Sequence, residues 1–299
     1  MAKIGIVGLG SMGFGMACSM VRAGFETWGH DVNPDAVTAF HAEGGQTSTL
    51  HAAAPSLDAL VVVVLNAAQT KAVLCGADGL MTQMRPGAVI LSCATVPPSF
   101  AHEMEAEAEK HGLLYLDAPI SGGTVKAAEG QLTIMASGRP EAFDAARATL
   151  DAIAAQVFTL GDHAGPGSAM KSVNQMLAGI HIAAMGEALT FGMTQGISPE
   201  TFLDVISRSA GTSWMLESRA PRVVSGDYDA RSSVDIWPKD LGIALDIARD
   251  ARFSAPLTAA ALQQFLAASG MGLGAEDDSA VAKVYARNAR LTLPGKDTP

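Results

Sequence analysis

A chain of 299 residues, 48% hydrophobic and 17% charged, is long enough for two cored domains rather than one. Its formal net charge of -10, offset by no basic block in any segment, repels phosphate backbones and argues against nucleic acid as a partner. Three cysteines without a CxxC pair and seven histidines without an HxH or HExxH pair argue against a disulfide framework and a dedicated metal site, so Cys18, Cys75 and Cys93 read as small buried hydrophobes.

The first residues, Met1-Ala2-Lys3-Ile4-Gly5-Ile6-Val7, enter an apolar strand directly, without the apolar stretch and small-residue cleavage site of a leader. The longest unbroken apolar run, Ala59 to Leu65, is too short to span a bilayer, so a cytoplasmic location with no membrane partner is expected. In chain order, Lys3 to Val7, Thr27 to His30, Leu60 to Leu65, Val89 to Leu91 and Tyr115 to Asp117 read as strands buried on both faces. Phe14 to Ala23, Pro34 to Ala42 and Ser99 to His111 carry helical spacing between them. This alternation predicts a doubly wound α/β sheet of Rossmann type.

Two further runs, Leu132 to Ala136 and Val157 to Leu160, bracket a helix from about Pro140 to Ala154 and are expected to extend the same sheet. After Gly161-Asp162-His163-Ala164-Gly165-Pro166-Gly167 the texture changes. Ser168 to about Gln195 reads as one helix of roughly 40 Å at the usual rise per residue, long enough to leave one domain and enter another. Gly196, Ser198-Pro199, Gly211, Gly226 and Gly270 to Gly274 then punctuate an all-α region. The expected division is residues 1–163 and 164–299, with a frayed tail from Pro294 to Pro299.

Gly8-Leu9-Gly10-Ser11-Met12-Gly13 follows the first strand and opens a helix, which is the context that gives a GxGxxG pattern meaning. Gly8 permits the turn, Gly10 lets a pyrophosphate approach the backbone, and Gly13 lets helix pack on strand. The free N–H groups of the helix start, among them those of Ser11 and Met12, favour negative charge there. Asp31 ends the second strand, where a carboxylate accepts hydrogen bonds from a ribose 2′-OH and repels a 2′-phosphate. Val32 and Asn33 follow where an NADP site would want arginine, so NAD is the expected cofactor; Asp31 also reads as a cap for the helix from Pro34. Asn66 and Thr95 lie past the third and fourth strands, at the carboxyl ends where ligands bind in open α/β sheets.

Ser121-Gly122-Gly123 follows the strand ending at Asp117 and offers backbone N–H groups and a hydroxyl to a carboxylate, or else is a plain strand-to-helix turn. Lys171 is expected in the first turn of the long helix, where the dipole's positive end disfavours a cation placed for stability alone. That field would lower its pKa and suit it to accept a proton at neutral pH, against the plain reading as a surface lysine. Asn174 and Gln175, three and four residues on, share its helix face and read as substrate ligands. Lys239, in Trp237-Pro238-Lys239-Asp240-Leu241, again puts a lysine at a helix start and is a candidate cofactor or substrate contact. Asp240 reads as stabilising that helix start, and Trp214 as a pocket wall or a core tryptophan.

Four segments in this order, Gly8-Leu9-Gly10-Ser11-Met12-Gly13, Asp117-Ala118-Pro119-Ile120-Ser121-Gly122-Gly123, Gly165 to Gln175 and Lys239-Asp240-Leu241, together resemble the β-hydroxyacid dehydrogenase family, the 3-hydroxyisobutyrate dehydrogenase group. The resemblance implies an N-terminal Rossmann domain, a long interdomain helix, an all-α C-terminal domain and an active site in the cleft between the domains. It implies Lys171 as the catalytic residue, Ser121, Gly122, Gly123 and Asn174 as substrate-binding, and Asn66, Thr95 and Lys239 as cofactor contacts. Departures are Ser92-Cys93-Ala94-Thr95, which keeps only the threonine of the family's Asp-x-Ser-Thr, and Val64-Leu65-Asn66 in place of Leu-Pro-Asn. Within the family, Thr27 to Pro34, Asn66-Ala67-Ala68-Gln69 and Glu276 to Val281 are most similar to the members that oxidise L-threonate, a four-carbon sugar acid.

The implied activity is NAD-dependent oxidation of a small hydroxy acid, with Lys171 taking the hydroxyl proton. Oxidation of 3-hydroxyisobutyrate and reduction of a tartronate- or succinate-type semialdehyde would use the same residues, and a silent dinucleotide-binding module would have no use for Lys171. A decarboxylating enzyme of the 6-phosphogluconate type wants a cluster of basic groups for its phosphate, and the segments named above supply few arginines. The apolar helices of the C-terminal half are expected to join copies into a homodimer or homotetramer.

Overall fold

The first strand sets the layout of the N-terminal half. In the computed structural model, which describes residues 2–295, β1 (Lys3–Val7) lies between β2 (Glu26–His30) and β3 (Ala59–Val62). All three are parallel, with Ile4 opposite Thr27 on one side and Ala59 on the other. β4 (Val89–Ser92) and β5 (Leu114–Asp117) complete a five-stranded sheet in the order β2-β1-β3-β4-β5.

Helices α1 (Gly13–Arg22), α2 (Pro34–Ala42), α3 (Leu50–Ala53), α4 (Ala67–Cys75) and α5 (Pro98–Lys110) fall between these strands. Strand residues alternate between two cores, because successive side chains point to opposite faces. Val61 and Leu91 join Ile4, Ile6, Met16 and Phe40, while Leu60 and Ile90 join Leu50, Leu74 and Met104. The third strand ends at Val62, three residues before the end of the apolar run, because Val63 and Val64 belong to the loop beyond the sheet.

The next strands do not extend that sheet, contrary to the expectation. After Asp117 the chain turns at Ala118-Pro119 into β6 (Ile120–Ser121), then α6 (Gly123–Glu129), β7 (Leu132–Ala136), α7 (Pro140–Ile153) and β8 (Ala154–Thr159). β6 pairs antiparallel with β7 and β7 parallel with β8, giving a separate three-stranded sheet. The cause is the short connection: a two-residue strand returning directly from the end of β5 occupies the edge of β7 that would otherwise meet the main sheet. A single antiparallel bridge, Asp117 to Ser137, remains as the link. The cysteines also divide: Cys18 and Cys93 are buried, but Cys75, the last residue of α4, is exposed.

Helix α8 (Pro166–Thr194) begins two residues before the expected start. The chain separates into two compact units, one ending at Lys171 and the other beginning at Ser172. By length and composition α8 could cross a membrane, yet half of its most apolar window is buried, and Ile182, Met185 and Leu189 belong to the core of the second unit.

That unit continues through α9 (Pro199–Ile206), α10 (Trp214–Ser225), α11 (Ile236–Asp250), α12 (Pro256–Ala268) and α13 (Ala282–Ala289), with no strand among its described residues. Trp237 stacks on Phe265 at 5.4 Å between ring centroids. The expected frayed tail lies partly outside the described residues, at 296–299.

Candidate active site

The glycine loop is built by close approach of backbone to backbone. Gly8 has φ +96°, and a Cβ there would lie 2.1 Å from the Val63 carbonyl oxygen, so only glycine lets the turn after β1 pass the end of β3. A Cβ on Gly13 would lie 1.8 Å from the Gly8 oxygen, which seats the first residue of α1 directly on that turn. Gly10 differs, because nothing lies within 4 Å of the place its Cβ would take. An open position there is what a pyrophosphate approaching the backbone needs, so the residues present fit a dinucleotide. Gly15, in the first turn of α1, was not singled out by the motif, yet its Cβ would meet the backbone of Ala128 at 2.7 Å.

Asp31 is tied to the loop. Its carboxylate accepts the Leu9 N–H at 2.6 Å and the Asn33 N–H at 2.8 Å. It does not cap the helix that follows; Asn33 does, its side chain accepting the Asp35 N–H. Each Asp31 oxygen keeps a second lone pair for a ligand hydroxyl. Val32 beside it is apolar and 97% exposed, so that position supplies no cation to offset the carboxylate's repulsion of a phosphate.

Asn66 is the cap of α4, its side-chain oxygen accepting the Gln69 N–H at 2.9 Å while Gln69 Oε1 accepts the Leu65 N–H at 2.9 Å. Thr95 lies three residues beyond β4, half-buried, in the segment leading to α5. Both follow carboxyl ends of strands of the sheet that carries the glycine loop.

Ser121 ends β6, and Gly122 (φ +140°) and Gly123 (φ +78°) start α6 in conformations that L side chains avoid. Lys171 is 9% exposed, and its Nζ donates to the carbonyl oxygen of Ile120 at 2.8 Å, one residue before Ser121. The structure therefore brings the amine and the Ser121-Gly122-Gly123 turn together inside the first unit.

Lys171 does not lie in the expected first turn of the long helix. Because α8 starts at Pro166, Lys171 is its sixth residue and sits in the second turn. The positive end of the dipole is met instead by Asp117 at the end of β5, which is 1% exposed. Asp117 Oδ2 accepts the N–H groups of Gly165 at 3.0 Å and Ser168 at 2.8 Å, and Oδ1 accepts the Ser168 hydroxyl at 2.7 Å. A carboxylate at that end satisfies orphan donors and neutralises the dipole. Burial holds the Asp117 carboxyl above its ordinary range, and the donors from Ser168, Gly165 and Ser137 offset only part of that rise. Asp117 was read as the last residue of a strand and as part of the Asp117 to Gly123 segment, with no role of its own; the signal was an acidic side chain at a strand's carboxyl end, just before Ala-Pro.

The second unit holds the remaining candidates. Asn174 donates its amide to Gln175 Oε1 at 2.9 Å, Gln175 donates its own amide to Asp240 Oδ2, and Lys239 Nζ pairs with Asp240 Oδ1 at 2.6 Å. Asp240, buried at 2% exposure, therefore joins Gln175 to Lys239 rather than capping the start of α11. Gln175 has both ends of its amide engaged, which makes it a holder of Asn174. Trp214 is 58% exposed as the first residue of α10, so it is not a core tryptophan.

The Glu276 to Val281 segment is structural. Asp278 accepts two bonds from Arg219, at 2.9 and 3.1 Å, and one from Trp237 Nε1 at 3.1 Å. Asp277 pairs with Arg222 and accepts the Ser279 hydroxyl at 2.7 Å. Among the described residues, no group of three or more histidine, cysteine, aspartate or glutamate side chains is arranged to hold a metal ion.

Residues 3–161 match the family model described as the NAD binding domain of 6-phosphogluconate dehydrogenase. Residues 165–285 match the one described as NAD-binding of NADP-dependent 3-hydroxyisobutyrate dehydrogenase. The chain is 47% identical to an L-threonate dehydrogenase of Cupriavidus necator, with 98% of each chain covered. It is 35% identical to a 2-(hydroxymethyl)glutarate dehydrogenase of Eubacterium barkeri, again over 98% of each. A crystal structure of 3-hydroxyisobutyrate dehydrogenase from Salmonella typhimurium is 46% identical, with a TM-score of 0.91, 95% of this chain and all of that chain being covered.

Proposed function

The chain belongs to the 3-hydroxyisobutyrate dehydrogenase family of NAD-dependent hydroxyacid dehydrogenases, and from that membership we infer that it oxidises L-threonate or a related four-carbon sugar acid, with Lys171 as the base. The observation that carries the reading is the Lys171 Nζ to Ile120 oxygen bond of 2.8 Å, which holds a buried amine one residue from the Ser121-Gly122-Gly123 turn. The substrate preference rests on the relatives named L-threonate dehydrogenase, at 41–47% identity over 98% of this chain.

In this reading Gly8, Gly10, Ser11, Met12 and Gly13 hold the cofactor's phosphates and Asp31 its ribose hydroxyl, while Asn66, Thr95 and Lys239 complete the cofactor contacts. When bound, NAD supplies the hydride acceptor. Ser121, Gly122 and Gly123 anchor the substrate carboxylate through backbone N–H groups and a hydroxyl. Lys171 takes the proton of the substrate hydroxyl, and Asn174, held by Gln175, orients that hydroxyl. Residues 1–163 then hold most of the cofactor and the substrate carboxylate turn, and 164–299 supply Lys171, Asn174 and Lys239 together with the assembly surface. We place the enzyme in the cytoplasm as a homodimer or homotetramer, a reading supported by the exposed Phe191, Phe253 and Leu257 of the second unit.

A second reading, 3-hydroxyisobutyrate as substrate, is favoured by the name of the Salmonella typhimurium structure. The deciding experiment follows reduced-cofactor absorbance with NAD or NADP and each of threonate, erythronate, 3-hydroxyisobutyrate, glycerate and serine. L-Threonate is expected to give the highest kcat/KM with NAD. Lys171→Ala is expected to lose about two to four orders of magnitude in kcat, the usual worth of a general base, while still binding NADH. A fully active Lys171→Ala would remove the lysine from the mechanism.

A further inference from the structure

Two pins join the helix that carries Lys171 to the strand before the substrate turn. Ser168 sits on Asp117 through its N–H (2.8 Å) and hydroxyl (2.7 Å), and three residues further along both segments Lys171 sits on the Ile120 carbonyl (2.8 Å). A third contact reinforces the first: the Gly167 N–H donates to Ser137 Oγ at 2.9 Å, and Ser137 Oγ donates to Asp117 Oδ2 at 3.3 Å. Ser137 is itself paired with Asp117 by two backbone hydrogen bonds, of 3.0 and 2.9 Å.

The seat is closed as well as bonded. A Cβ on Gly167 would lie 2.4 Å from the Met135 oxygen and 2.8 Å from the Asp117 oxygen. Pro166, first in the helix, has no N–H to satisfy. The first turn of α8 thus rests against the ends of β5 and β7: the Gly165 and Ser168 N–H groups are matched by Asp117, that of Gly167 by Ser137, and that of Ala169 by the Gly165 carbonyl.

We infer that Asp117, with Ser137 and Ser168, is the positioning device for the base: its buried carboxylate clamps the start of α8 and so fixes where the Lys171 amine lies against the Ser121-Gly122-Gly123 turn. The inference rests on the role proposed above for Lys171. It gives a job to a buried carboxylate that touches neither substrate nor cofactor in that mechanism. An error of about 1 Å in placing a reacting group is enough to cost on the order of a hundredfold in rate.

The test compares Asp117→Asn, Ser168→Ala and Ser137→Ala in the full-length enzyme. Asp117→Asn keeps the shape and one acceptor oxygen for the Gly165 and Ser168 N–H groups, but it removes the negative charge at the helix start and replaces the oxygen that accepts the Ser168 hydroxyl by a donor. It should lower kcat by about ten- to a hundredfold and move the pH profile of kcat, while the Kd for NADH stays within twofold of the parent. Ser168→Ala should lower kcat at least threefold with the same split, and it decides the matter if Asp117→Asn fails to fold.

Lysine labelled with carbon-13 at Cε gives a readout independent of activity, the Lys171 signal being assigned by its loss in Lys171→Ala. That signal should shift in Asp117→Asn and Ser168→Ala. Variants with kcat within twofold of the parent and an unmoved Lys171 signal would overturn the inference, as would a fall in Tm with kcat and its pH profile unchanged. A fully active Lys171→Ala would instead defeat the catalytic assignment, and the lysine signal would still decide whether Asp117 positions the amine.

Discussion

Gly10 and Gly13 sit three residues apart in one motif, yet the structure assigns them different tasks, and alanine at each should separate those tasks. A Cβ on Gly13 would lie 1.8 Å from the Gly8 oxygen, whereas real Cβ contacts essentially never fall under 3.0 Å, so helix and turn would have to part by at least 1.2 Å (3.0 minus 1.8). The obstacle is a backbone atom that cannot rotate aside. Overpacking of this kind costs about 1–3 kcal/mol or more, and for a unit of this size each kcal/mol lowers Tm by roughly 2–4 °C. Gly13→Ala should therefore melt about 2–12 °C below the parent. At Gly10 a methyl group meets nothing within 4 Å, so Gly10→Ala should melt within about 2 °C of the parent. That methyl nevertheless occupies the approach of the pyrophosphate, and the Kd for NADH should rise at least tenfold, a loss of about 1.4 kcal/mol. Thermal melting and titration of NADH fluorescence measure the two effects separately. A Gly10→Ala enzyme that binds NADH within twofold of the parent would refute the assignment of the loop, and an unchanged Tm for Gly13→Ala would refute the steric argument.

Asp31→Ser removes the acceptor of the Leu9 and Asn33 N–H groups along with the repulsion of a 2′-phosphate; kcat/KM measured with both cofactors should move toward NADP by at least tenfold, and an unaltered ratio would count against Asp31 as the selector. Asp278→Ala leaves the buried Arg219 guanidinium and the Trp237 N–H without their shared partner, and urea unfolding should lose about 3–5 kcal/mol, the usual cost of breaking a buried pair. A loss under 1 kcal/mol would show that this network is not what holds the second unit's loops. For Asp58, burial acts to raise the pKa, but the Lys3 N–H at 2.8 Å and the Arg85 guanidinium outweigh it and hold the carboxyl below its usual range. A depressed carboxylate contributes stability above its unfolded value and loses it as pH falls through the folded value. Asp58→Asn should thus flatten the decline of stability below about pH 4, the ordinary carboxylate range, and an identical acid limb in both proteins would contradict it.

Much of the fold was legible because burial on both faces leaves continuous apolar runs. β1 and β7 were predicted residue for residue, β2 to β5 and β8 differ only at their ends, and the two-residue β6 was missed. The end of β3 was misplaced because Val63 and Val64 stay apolar beyond the sheet: periodicity reports burial and not hydrogen bonding. The glycine turn was legible where backbone sterics restrict residue type, at Gly8 and Gly13. The site was illegible where a residue's partner is remote in sequence. The Asp117 to Ser168 bond spans 51 residues and the Gln175 to Asp240 bond 65, and no local pattern encodes either. The Glu276 to Val281 segment carries part of the resemblance to L-threonate-oxidising members, yet its carboxylates are spent on Arg219, Arg222, Trp237 and Lys283.

By itself the sequence determined the alternation of parallel strands and helices, the change to an all-α second half and the glycine turn, because these rest on burial patterns and on backbone sterics. Only the tertiary structure decided that the last three strands form their own sheet, that Asp31 braces the glycine turn rather than capping a helix, and that a buried carboxylate occupies the helix end once assigned to tuning the lysine. Those outcomes depend on which distant groups meet where water is excluded. A hydrogen bond there is stronger, an unmatched donor costs more, and the partner is chosen by packing rather than by neighbours in the chain.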